Sequence, residues 1–106
     1  MIDIRYIRTE AMHSLSITGH ADYADHGNDI VCSAVSAVTY SLAGWLLNRV
    51  KADEKYVKLD SGNSTIMCYA VEQADTAFDM AVIGYSQIAA TYPNNVSVHI
   101  SAASGC

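Results

Sequence analysis

The sequence predicts an α+β domain of two layers, a mostly antiparallel sheet with two helices on one face, in the order ββαββαβ. Three observations predict it. Two short segments alternating apolar and polar residues open the chain, two longer segments repeat their apolar residues every three or four positions, and further alternating segments follow each of these. No linker, internal repeat or low-complexity segment interrupts the pattern, so residues 1–106 are read as one domain.

Each element has its own reason. Residues 2–8 place Ile2, Ile4 and Tyr6 on one face of a strand, and residues 12–18 do the same with His13, Leu15 and Ile17, with a turn near Thr9-Glu10-Ala11. Gly19 ends the second strand and a polar loop follows. From about 30 to 50 the period becomes helical, and Val31, Val35, Val38, Leu42, Trp45 and Leu46 are expected to face the sheet. Asn28 or Asp29 supplies the cap, since a short polar side chain accepts from the first free backbone N–H groups. A second stripe, Ser33, Ala37, Tyr40 and Gly44, is small or amphipathic and suits close packing against another element or a second subunit. Residues 56–60 and 65–71 read as a hairpin around Ser61-Gly62-Asn63-Ser64. A second helix spans about 74–92, with Ala74, Ala77, Phe78, Ala81, Val82, Tyr85, Ile88 and Ala89 as its apolar stripe and Pro93 at its end. Val96, Val98 and Ile100 alternate in a last strand over 96–100.

Composition narrows the function classes. Hydrophobic residues make up 51% and charged residues 16%, the reverse of a disordered chain. Eleven acidic residues against six basic ones give a net charge of -5. Phosphate binding needs a basic face, so nucleic acid is not expected as a direct partner, and a basic protein or peptide is the better match. No unbroken apolar run of about 18 residues occurs, which argues against a membrane span. The acidic, alternating N-terminus is unlike a secretory leader, and a cytoplasmic location is expected. The three cysteines, Cys32, Cys68 and Cys106, form no C-x-x-C pair and are expected as free thiols.

The chemistry concentrates between His20 and Cys32. The plain reading of Cys32 is a small apolar residue in a buried first turn. Its position also suits a nucleophile, because free N–H groups and the helix dipole at a helix start favour a thiolate. The N–H groups of Val31, Cys32 or Ser33 are candidate donors to the oxyanion of a tetrahedral intermediate. His20, at a strand end, reads either as a surface residue or as the general base that takes the thiol proton. Asp29 reads as the helix cap and, compatibly, as the group orienting His20. The loop 22–28, with Asp22, Tyr23, Asp25, His26 and Gly27, reads as a surface connection or as a lid over substrate. The cluster's spacing matches no metal-ligand pattern, and neither metal nor cofactor is expected. Cys68 is expected in the core, Cys106 is terminal, and His13 and His99 receive no role.

Gly19-His20-Ala21 together with Asp29-Ile30-Val31-Cys32-Ser33-Ala34-Val35-Ser36, and Tyr23-Ala24 and Gly27 between them, resembles the bacterial ribosomal-processing cysteine protease family, Prp. The likeness extends over essentially the whole length, with Ser33 where alanine is common in the family. It implies a cysteine endopeptidase with Cys32 as nucleophile, His20 as base and Asp29 in support, and with Gly19, Ala21, Tyr23 and Gly27 in a substrate loop. It further implies a substrate: the precursor of large-subunit ribosomal protein number twenty-seven, whose N-terminal extension is removed. A homodimer is implied, as is a partly apolar cleft near Cys32. Two alternatives remain at this level: a non-catalytic, ribosome-associated peptide-binding module, or another cysteine-dependent acyl hydrolase.

Overall fold

The computed structural model describes residues 1–25 and 27–102, so His26 and Cys106 lie outside the described residues. The element order is β1 (Ile2–Arg8), β2 (Met12–Thr18), α1 (Ile30–Trp45), β3 (Val57–Asp60), β4 (Asn63–Tyr69), α2 (Glu72–Thr91) and β5 (Val96–Ala102). The strands form one sheet in the order β3-β4-β2-β1-β5. All neighbours are antiparallel except β1 and β5, which run parallel.

Register explains why one face is dry. Tyr6 pairs with Leu15, which pairs with Ile66, and Ile4 pairs with Ile17 on one side and Val98 on the other. Side chains alternate across a strand, so these apolar rows share a face, and both helices pack onto it. Helix α1 contributes Val31, Val35, Leu42 and Ala43, and α2 contributes Ala74, Ala77, Phe78, Ala81 and Tyr85. Thr39 bridges the helices: its hydroxyl donates to the Val35 carbonyl at 2.7 Å and meets the Tyr85 hydroxyl at 2.7 Å. Burial pushes the Tyr85 phenol up to about 12.

Helix α1 runs on into a π-helical turn, Leu46–Val50, and Lys51 in the left-handed region (φ 62°) ends it, its N–H donating to the Leu46 carbonyl. The continuous segment Ile30–Val50 has a mean hydropathy of 1.7 over its most apolar window, long and apolar enough to cross a membrane by length and composition. The absence of an unbroken apolar run does not by itself exclude that role. Its partners argue for a core helix, because Val31, Val35, Leu42 and Leu46 are buried against the sheet and α2.

Trp45 departs from expectation. It is 44% exposed and turned away from the sheet, with its indole N–H donating to the Gln73 carbonyl at the start of α2. An indole has a polar edge to satisfy, and the outer groove between the helices offers an acceptor. Helix α2 starts at Glu72, earlier than the apolar stripe predicts, from a Val71 cap without a side-chain hydrogen bond.

Candidate active site

Strand β2 delivers His20. Its last residue, Thr18, pairs with Asn63, and Gly19 then turns the chain out of the sheet with φ +90°. A Cβ on Gly19 would lie 2.3 Å from the Met1 carbonyl oxygen, so no other residue fits there without moving the N-terminal strand. The Gly19 N–H donates to the Gly62 carbonyl at 3.0 Å, which ties the strand end to the β3–β4 turn.

Helix α1 delivers Cys32. Asp29 caps it with one carboxylate oxygen, which accepts from the N–H groups of Val31 and Cys32, both at 3.0 Å. The other oxygen accepts from Tyr23 N at 3.0 Å and Ala24 N at 3.4 Å, so one side chain fastens both the helix start and the loop before it. Desolvation raises the Asp29 carboxyl, but the N–H donors of Cys32, Tyr23, Ala24 and Val31 together outweigh it and hold the group below the usual carboxylate range. The geometry gives Asp29 the capping role, and the hydrogen bonds of its carboxylate among the described residues come from backbone N–H groups rather than from His20.

This cap alters one expectation. The Val31 and Cys32 N–H groups are spent on the carboxylate, and the Ser33 N–H donates to the Asp29 carbonyl at 3.1 Å. An oxyanion at this helix end would have to displace the Asp29 carboxylate. The sequence shows that such N–H groups exist at a helix start; it does not show that the cap has already claimed them.

The two side chains line one cleft of about 610 Å3 between α1 and the β3–β4 hairpin. His20, Asp29 and Cys32 line it, with Gly19 and Gly27 from the loop and Ile17, Val35 and Leu59 as apolar walls. Asp22 and Asp60 give its rim a negative charge. Ala21 and Tyr23 do not line the cleft. Ala21 is buried with its carbonyl accepting from Asn95 Nδ2 at 2.9 Å, and Tyr23 sits edge-on to Tyr92 with ring centroids 5.3 Å apart. The histidine hydrogen bonds among the described residues are those of His13, and His99 lies within ion-pair distance of Asp3. His20 makes no hydrogen bond to Cys32; its imidazole lies against Gly62. The hairpin side of the cleft, Leu59 to Ser64, reads in the sequence only as a strand end and turn.

Away from the cleft, Cys68 is buried as expected, and burial raises its thiol. His13, assigned no role above, is 1% exposed. It is stacked on Phe78 at 4.2 Å and held between the Tyr6 hydroxyl and Asp75.

A thiol on the first turn of a helix, an imidazole at a strand end and an enclosing cleft are the equipment of a cysteine-dependent acyl hydrolase. Residues 1–97 match the model of the family described as Cysteine protease Prp, and the chain belongs to that family. The Ribosomal processing cysteine protease Prp of Mycoplasma pneumoniae is 27% identical over 84% of this chain and 88% of its own length. Its namesake from Bacillus subtilis is 43% identical over 35% of this chain and 33% of that protein. In fold, the chain resembles the essential ribosomal processing protease Prp from S. aureus, solved with a covalently linked product peptide. The TM-score is 0.82, with 19% identity over 94% of this chain and 99% of that one.

Proposed function

We propose that this cysteine protease removes the N-terminal extension of large-subunit ribosomal protein number twenty-seven, with Cys32 as nucleophile and His20 as base. The observation that carries the reading is the shared cleft: the Cys32 thiol and the His20 imidazole line one cavity that the family's motif residues build. His20 takes the proton from Cys32 Sγ as the sulfur attacks the scissile carbonyl carbon. The tetrahedral intermediate collapses, the C–N bond breaks, and His20 returns that proton to the leaving amine. Water activated by His20 then hydrolyses the thioester and frees the thiol. His20 makes no hydrogen bond to Cys32 among the described residues, and catalytic contacts of this kind commonly tighten when substrate binds.

The cleft's chemistry supports such a substrate. Ile17, Val35 and Leu59 suit an apolar segment next to the cut, and Asp22 and Asp60 suit the basic chain of a ribosomal protein. The reading places the protease in the cytoplasm, away from nucleic acid and membrane. It also includes a homodimer. The support is a separate apolar groove between α1 and α2, lined by Ala37, Val38, Trp45, Ala77 and Met80, with Met80 71% exposed. Sedimentation equilibrium should report twice the chain mass, and a Trp45→Glu variant should report a monomer. A monomeric wild type at micromolar concentration contradicts the dimer.

Intact-mass analysis of an extended substrate mixed with wild type and with Cys32→Ala tests the function. One cut by wild type and none by the variant is expected. No cut by either leaves a peptide-binding module or a different acyl substrate as the better account.

A further inference from the structure

We infer that Gly62, in the β3–β4 turn, is a positioning residue for the His20 imidazole; the inference rests on the protease reading of the Cys32–His20 pair. Ser61 and Gly62 form the two-residue turn between Asp60 and Asn63, which pair with each other, and Gly62 has φ +73°. That conformation alone favours glycine.

The space around Gly62 adds a second, independent reason. A Cβ there would lie 2.7 Å from His20 Nε2, 3.0 Å from Cε1 and 3.5 Å from Cδ2. All three are ring atoms of the base. The absent side chain is what leaves room for the imidazole.

The turn is also fixed to the residue before His20, since the Gly62 carbonyl accepts from the Gly19 N–H at 3.0 Å. The hairpin tip therefore holds the backbone on one side of His20 and offers its ring a bare surface on the other. The effect of Gly62 passes through His20.

A side chain at 62 should therefore act on catalysis before it acts on the fold. The nearest atom is the tip of a rotatable side chain, so the ring yields rather than the sheet. Restoring an ordinary 3.4 Å contact moves Nε2 by about 0.7 Å or more from its place. A misplacement on the order of 1 Å in a reacting group lowers a rate by up to about 100-fold.

The experiment compares wild type, Gly62→Ala, His20→Ala and the double variant. It reads kcat and KM on an extended ribosomal precursor, the iodoacetamide rate at Cys32, and thermal unfolding. Gly62→Ala should lower kcat by about 10- to 100-fold with KM within about twofold, and should still unfold cooperatively. In the His20→Ala background, Gly62→Ala should change the iodoacetamide rate no further, because the group it displaces is gone.

In wild type, nuclear Overhauser contacts between the His20 ring protons and the Gly62 α-protons are expected, and this measurement stands even if Gly62→Ala fails to fold. Unchanged kcat in a folded Gly62→Ala, a loss confined to KM, or no such Overhauser contacts overturns the inference. A wild type that cleaves nothing while the contacts are present sinks the proposed substrate and leaves the positioning intact.

Discussion

Tyr6→Phe should destabilise the fold while leaving the cleft untouched. The Tyr6 hydroxyl lies 2.5 Å from His13 Nδ1, and His13 Nε2 lies 2.6 Å from Asp75 Oδ1. A carboxylate only accepts, so Nε2 carries the hydrogen and Nδ1 accepts from Tyr6. Asp75 sits in the first turn of α2, whose Val71 cap supplies no side-chain acceptor, and Arg8 approaches the same carboxylate at 3.4 Å. This chain of contacts fastens the start of α2 to the sheet. Removing one hydroxyl leaves Nδ1 buried without a donor at a cost of about 1–3 kcal/mol, with almost no cavity. Each kcal/mol lowers Tm by roughly 4–8 °C in a domain of about this size, so a fall of about 4–24 °C is expected in calorimetry near neutral pH. Six residues of strand and turn lie between His13 and His20, at most about 23 Å at an extended rise, so kcat/KM well below Tm should stay within about twofold. An unchanged Tm, or lost activity in a folded protein, would refute this account of the network.

Other consequences concern charge. Desolvation by burial, partly offset by the Asp75 hydrogen bond, holds the His13 imidazole below the usual 6.5. The unfolded chain therefore binds that proton more readily, and stability is complete above pH about 6.5 and falls as pH drops through that value towards the carboxylate range. Denaturant midpoints taken between pH 7.5 and the carboxylate range should decline, and a rise would contradict the direction. Asp29→Ala should speed amide exchange at Tyr23, Ala24, Val31 and Cys32 together, since one carboxylate holds all four. Wild type should lose the same protection when pH falls through the lowered Asp29 value, and exchange confined to the helix start would break the link to the loop.

The element order was legible because local signals and tertiary demands agree. Ile2, Ile4 and Tyr6 and then His13, Leu15 and Ile17 alternate in the sequence, and the sheet buries those faces. Asp29 was legible as a cap because its side chain acts within three residues of itself. Signals that depend on distant partners were not. His13 is fixed by Tyr6 and by Asp75, 62 positions away, and nothing near His13 announces either bond. Trp45 fits the apolar period of α1, yet a carbonyl on α2 draws its indole outward. Gly62 reads as turn composition, and only the folded hairpin shows that its missing side chain is the room His20 occupies. The spent N–H groups at the start of α1 are the reverse case: the rule about helix ends was right, and the cap it also predicted had already used them.

The most direct measurement of the central claim is an acid-quenched intact mass of the protein during turnover of an extended precursor. The account predicts a transient adduct equal to the released N-terminal fragment less one water, mapped to Cys32 and absent in Cys32→Ala. Cleavage that continues in Cys32→Ala, or an adduct mapped to Cys68, would contradict it.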